Sequence, residues 1–138
     1  MEIKIKLVEG GQLPQRMTEG STYDCFVRDI TYEKDGRIVH HLGFATDIEK
    51  GYRGYIYARS SLSKYQGSYI PTGLGYIDSD YRNEWLFILR SMNNLQSPYI
   101  IGSRCCQIEF RKYEEPDFII VDSLEETDRK GGFGSTGA

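Results

Sequence analysis

Residues 23–46 read YDCFVRDITYEKDGRIVHHLGFAT, two runs rich in β-branched, aromatic and other apolar residues on either side of Asp35-Gly36. An Asp-Gly pair tolerates the positive φ angles of a tight hairpin turn, so this stretch predicts two antiparallel strands, 23–32 and 37–46. Working outward, Ile3, Ile5 and Leu7 alternate with charges and predict a strand over 2–8. Further strands are expected at 53–58, 68–71, 75–78, 84–91, 99–101, 104–113 and 117–122, punctuated by Gly51, Gly54, Gly67, Gly73 and Gly75. No segment carries a long 3.6-residue period. One short helix is expected, about Ser61 to Gln66, entered through the hydroxyls of SSLSK and stopped by Gly67. The fold class is therefore all-β, a sandwich or barrel, with one domain over 1–126 and a flexible glycine-rich arm over 127–138.

The chain has 138 residues, with 17 basic against 20 acidic side chains and a net charge of −3. The basic residues are scattered, so no cationic face is expected for a nucleic acid. The opening segment alternates instead of running apolar, which predicts a soluble, intracellular protein with no membrane segment. Cys25, Cys105 and Cys106 form no CxxC pair and read as reduced and packed. On a regular strand Cys105 and Cys106 point to opposite faces, as do His40 and His41, so neither pair is expected to hold a metal.

Four segments carry candidate chemistry. In TGLGYIDSDYRNEW (72–85), Asp78 and Asp80 share a face if extended, and one of them is a candidate base. Gly73 and Gly75 leave backbone groups uncovered at an expected hairpin tip, where a small planar base can be read without side chains. ARSSLSK (58–64) sets Arg59, Ser60 and Ser61 at a helix start, a phosphate-binding pattern. Arg104, Gln107 and Asp24 add polar groups on expected strands. The fourth, GGFGSTG (131–137), plants Phe133 alone among glycines and hydroxyls, which suits a flap closing over a flat, phosphate-bearing ligand better than a solubility tail.

Taken in order, STYDC (21–25), ARSSL (58–62), GYIDSDYRNE (75–84), GSRCCQ (102–107) and RKGGFGSTG (129–137) resemble the five motifs of the trimeric dUTP pyrophosphatases, the dUTPases. The resemblance spans nearly the whole chain. It implies a β-barrel or β-clip subunit in a homotrimer, each C-terminal arm covering a neighbour's site. It also implies hydrolysis of dUTP to dUMP and pyrophosphate by water attack on the α-phosphorus, limiting uracil incorporation into DNA and supplying dUMP. Asp78 then stands at the water-activating position, Gln107 at the water-holding one, and Arg59, Ser60 and Ser61 on the phosphates. Thr72, Gly73, Gly75 and Tyr76 are placed at the uracil edge, Tyr81 under the deoxyribose, and Phe133 over the base. Gly134, Ser135, Thr136 and Arg129 close on the triphosphate. Asp80 and Arg104 support the site. Mg²⁺ is implied on the phosphate oxygens with no direct protein ligand, Asp24 reaching it through water.

The chain departs from the family pattern at three places. Asn83 stands for a glycine, a mild change because asparagine tolerates left-handed backbone. Ser103 stands for an aspartate, removing an ion-pair partner from the neighbourhood of Arg104. RKGGFG is one residue shorter than the family's arm, so either Arg129 or Lys130 serves as the arm's phosphate cation. Two other readings remain open. A dCTP deaminase shares the fold but requires a catalytic glutamate where this chain has IDSDYR, and it lacks the arm. A nucleotide-sensing regulatory module would use the same site together with a tyrosine-rich surface such as 52–57.

Overall fold

The Asp35-Gly36 turn forms as its residues predict. In the computed structural model, which describes residues 1–93 and 96–137, Gly36 has φ +89 and Glu33 N–H donates to Arg37 O at 2.9 Å. The turn joins β4 (Asp29–Tyr32) to β5 (Ile38–His41) in antiparallel register, Tyr32 opposite Ile38. The fold is nearly all-β. Around this hairpin the chain adds β1 (Ile3–Leu7), β2 (Gln15–Arg16), β3 (Tyr23–Phe26), β6 (Phe44–Ile48), β7 (Tyr52–Ala58), β8 (Ser68–Tyr69), β9 (Gly75–Ile77), β10 (Leu86–Ser91) and β11 (Arg104–Lys112). They form three sheets, ordered β1-β6, β4-β5-β10-β8 and β2-β3-β11-β7-β9.

Each long predicted strand beside the hairpin is divided between two sheets. At Val27-Arg28 the chain changes partner, Val27 N–H donating to Ser103 O and Arg28 N–H to His41 O. At Leu42-Gly43 it turns again, Leu42 N–H bonding Trp85 O before β6 joins β1. Apolar residues line the inside of every corner, with Trp85, Phe44, Phe87, Leu42 and Ile108 fully buried. Gly54 permits this packing: a Cβ there would lie 2.4 Å from the Trp85 ring, closer than any side chain tolerates.

Several expectations are corrected. The segment 99–101 is a turn, closed by Ser103 Oγ, which donates to Ile100 O at 2.7 Å and accepts from Ile100 N–H. The expected helix is a 3₁₀ turn over Ser60–Lys64, starting one residue early. Its i→i+3 bonds, Leu62 N–H to Arg59 O and Tyr65 N–H to Leu62 O, close the segment before an α-helix can form. The strands β8 and β9 are not partners in a hairpin, since β8 pairs with β10 and β9 with β7; residues 70–74 cross from one sheet to another. The segment 117–122 pairs with nothing among the described residues, leaving Phe118, Ile119 and Ile120 exposed, Ile120 by 99%. Exposed chain begins at Glu114, ahead of the glycine-rich arm; Ala138, the arm's last residue, lies outside the described residues. No helix among them is long and apolar enough to cross a membrane.

The three thiols are free and buried, as expected, but their geometry differs from a regular strand. A bulge between Arg104 and Cys106 turns both neighbouring side chains inward, and their sulfurs stand 3.9 Å apart. Burial among the other two thiols pushes Cys106 well above the usual thiol range.

Candidate active site

The central sheet assembles one group of candidates. Asp24 on β3 lies directly opposite Gln107 on β11, which in turn lies opposite Tyr57 on β7. Residues paired across neighbouring strands share a face, so Asp24 and Gln107 stand side by side. Asp24 is buried, and two guanidinium groups converge on it: Arg104 Nε at 3.2 Å from one carboxylate oxygen and Arg59 Nε at 3.6 Å from the other. Neither Nε–H points along its contact closely enough for a hydrogen bond, so these are ion pairs. Arg104 thus finds its acid in Asp24, while Ser103 is used in the adjacent turn.

Arg59, Ser61 and Arg104 line a cleft of about 620 Å³ together with Phe26, Tyr65 and Tyr99. Arg59 enters the 3₁₀ turn in extended conformation (φ −73, ψ 151), and no side chain caps the turn. This corrects the expected hydroxyl cap: Ser60 and Ser61 do not spend their oxygens on it. Two cations and a hydroxyl on one cleft make a surface for a polyanion. Tyr99, expected on a strand, is buried in the wall; its hydroxyl has no hydrogen-bond partner among the described residues, and burial pushes it up to about 12.

The second group lies elsewhere. Asp78, Ser79, Asp80 and Arg82 line a separate cleft of about 610 Å³ with Asp47, Lys50 and Arg53, sharing no lining residue with the first. Asp78 follows β9, three strands away from β3 in the sheet order; at about 4.8 Å per step that is about 14 Å across the sheet. Thr72 and Gly73 sit on the exposed link into β9, and Tyr76 lies on β9 itself, opposite Tyr55 and edge-on to it at 5.3 Å. Gly75 packs against Ile56, where a Cβ would approach to 2.9 Å. Tyr81 packs on the core, its hydroxyl donating to Glu84 O at 3.1 Å.

The arm forms a third group. Phe133 is fully exposed, at a left-handed φ of +53. Arg129 Nε donates to Gly131 O at 2.9 Å, and Ser135 N–H to Gly132 O. Gly134 and Thr136 are exposed alongside it. One chain therefore brings together Asp24, Arg59, Ser61, Arg104 and Gln107, with Ser60 beside Arg59 in the 3₁₀ turn, but joins neither the Asp78 group nor the arm to them. Among the described residues no three His, Cys, Asp or Glu side chains gather to hold a metal.

Sequence reasoning passed over Glu84. Arg28 grips it with Nε and Nη2, both at 2.8 Å, Gly43 N–H donates to it at 2.8 Å, and His41 Nδ1 lies 3.3 Å away. The Arg28 hydrogen bonds hold its carboxyl below the usual range. Its sequence signal was its place as the last residue of GYIDSDYRNE (75–84).

Comparison with known proteins gives a consistent result. The sequence profile described as dUTPase matches residues 11–137. The deoxyuridine 5'-triphosphate nucleotidohydrolase of Finegoldia magna is 37% identical over 142 residues, covering 99% of each chain. That of Paramecium bursaria Chlorella virus 1 is 40% identical over 137 residues, covering 96% of this chain and 94% of the relative. Among solved structures, a dUTPase of Staphylococcus bacteriophage 80alpha with dUpNHpp superposes with a TM-score of 0.80 at 19% identity, covering 99% of each chain. A dUTPase from phage phi11 of S. aureus, described with a structural Mg(II) ion, gives 0.74 at 18% identity, covering 91% of this chain and 100% of the other.

Proposed function

Since the chain belongs to the dUTPase family, we propose that it hydrolyses dUTP to dUMP and pyrophosphate at a site shared between copies of the chain. The observation that carries this reading is the pair of arginines converging on buried Asp24 at a cleft, with Gln107 directly across the strand pair. In a phosphoryl transfer the protein mainly positions groups and neutralises charge. Arg59 and Arg104, prealigned by Asp24, present positive charge to a triphosphate, and Ser60 and Ser61 donate to its oxygens. Gln107 holds the attacking water and Asp78 takes its proton.

Asp78 follows β9, two strands from Gln107 on β11, and its cleft shares no lining residue with the arginine cleft, which supports a site completed when a second copy brings its Asp78 cleft to this copy's arginines. The arm, exposed and bonded within itself, is then free to close its Phe133 over a third copy's base, with Ser135, Thr136 and Arg129 on the phosphates. A homotrimer meets these needs. The apolar segment 117–122 supports the same reading, because among the described residues its strand-forming side chains find no partner and β1 pairs on one edge only. Selectivity follows from the exposed 72–76 link pairing with the uracil edge and from Tyr81 packing under the sugar, where a 2′-hydroxyl would leave buried polar groups unmatched.

Both oxygens of Asp24 already face guanidinium groups, so the donor set fits a magnesium carried on the phosphates with Asp24 reached through water. Mg²⁺ there supplies charge neutralisation to the phosphate oxygens.

The test is pyrophosphate release from dUTP, compared with ammonia release from dCTP. Wild-type protein should release pyrophosphate from dUTP alone. Asp78→Asn should bind dUTP with little change but lose about 10²–10⁴ in kcat, since an amide cannot take the water's proton. More than about a tenth of wild-type kcat in that variant would place the base elsewhere.

A further inference from the structure

We propose that Glu84 is a positioning residue for sugar selection, setting the height of the Tyr81 ring; this rests on the reading that Tyr81 packs under the deoxyribose. The loop from Asp78 to Glu84 links β9 to β10 and carries both groups. Tyr81 hydroxyl donates to the main-chain carbonyl of Glu84 at 3.1 Å, and Tyr81 N–H bonds Asp78 O at 3.2 Å. The ring is therefore fixed at its far end by the backbone position of residue 84. That position is held from two sides: Trp85 N–H, in the same peptide unit as the carbonyl, donates to Phe44 O at 2.9 Å, and the Glu84 side chain anchors the residue on the other. The carboxylate receives a two-point fork from Arg28 and a main-chain N–H from Gly43, both tying it to the corners beside β4 and β6, and it lies beside His41 of β5. The pair is well shielded, with Arg28 and Glu84 side chains 24% and 18% exposed, so the fork is geometrically exacting.

A salt bridge that served only to hold the fold would not require the adjacent carbonyl to receive the tyrosine's hydroxyl. Here one residue joins the two. Loosening the clamp lets the carbonyl drift and frees the ring tip, and small displacements at a packed subsite are costly in rate because the reacting groups must stay aligned. The cost should fall on discrimination, since the space that excludes a 2′-hydroxyl is defined by the ring's height.

The experiment compares kcat/KM for dUTP and UTP in wild type, Glu84→Gln, Tyr81→Phe, the double variant and Tyr81→Ala, with melting temperatures alongside. Glu84→Gln removes the charge that organises the fork while keeping the shape. It should lower the dUTP-to-UTP ratio by about tenfold, and the double variant should discriminate no worse than Tyr81→Phe, because both substitutions break one link. Arg28→Lys, which keeps the charge but loses the fork, should lower the ratio likewise and serves where Glu84→Gln does not fold. An unchanged ratio in the folded clamp variant, or effects that multiply independently in the double variant, overturns the proposal. If Tyr81→Ala collapses the ratio while Glu84→Gln leaves it intact, only the role of Glu84 fails. If Tyr81→Ala itself leaves it intact, the sugar-packing reading fails and the proposal with it.

Discussion

His40 is fully buried, its Nδ1–H donating to Phe87 O at 2.8 Å and its Nε2 accepting from Ser97 Oγ at 2.6 Å. The carbonyl can only accept, so Nδ1 carries a proton, and burial in the core favours the neutral ring. Burial accordingly holds its pKa below the ordinary 6.5. Between the depressed folded value and about 6.5 the unfolded chain binds the extra proton, so this contribution to stability is complete above that window and is lost as pH falls through it. The melting temperature should therefore begin to drop as pH falls below about 6.5, earlier than carboxylate protonation alone would produce. In His40→Gln the curve should be flatter over that range, from a lower starting value; an unchanged slope would mean that His40 is not the titrating group. The sequence showed two adjacent histidines. It could not show that one is a core residue and the other faces Glu84, because burial depends on which strands flank β5.

At the scale of elements, the arm and the segment before it are the parts whose behaviour is least tied to the chain's own core. Residues 114–137 are exposed, and glycine-rich backbone has little apolar area to bury. Deleting residues 131–138 should leave the ligand-free melting temperature within about a degree of wild type, because the segment makes no contribution to the packed core. The same deletion should nearly abolish kcat/KM for dUTP. Phe133→Ala should be intermediate, losing about 1–3 kcal/mol of base stacking. Retained activity in the truncated protein would reduce the arm to a spacer, and a large fall in melting temperature would make it structural. An exposed glycine-rich arm was legible in GGFGSTG. The partner of 117–122 was not, since alternating apolar residues declare that a strand can form without saying which edge accepts it.

At the scale of the molecule, the separation of the Asp78 cleft from the Asp24 cleft makes a specific demand: activity should be a property of the assembly. Sedimentation should show a trimer at about micromolar concentration. Mixing Asp78→Asn protein with protein truncated at residue 131, after dissociation and reassembly, should restore part of the activity that each lacks alone, because some mixed sites then contain an intact Asp78 and an intact arm. No recovery in confirmed mixed trimers would place both groups in a site supplied by one chain. Monomeric protein with full activity would overturn the shared site altogether.

Local chemistry was enough to determine a good deal of this protein. The Asp35-Gly36 turn, the alternating strands and the absence of a long helical period gave an all-β chain, because turn geometry and side-chain period are properties of neighbouring residues. The five motifs gave the family. Only the tertiary structure decided where the long strands divide at Val27-Arg28 and Leu42-Gly43, that Asp24 takes both arginines while Ser103 closes a turn, and that a bulge turns Cys105 and Cys106 inward together. It also decided that Glu84 is the most heavily bonded carboxylate of the loop bearing Asp78. Each of these depends on which distant segment lies alongside. A one-residue change of register or partner reverses which side chains meet, and no local pattern in the sequence records that choice.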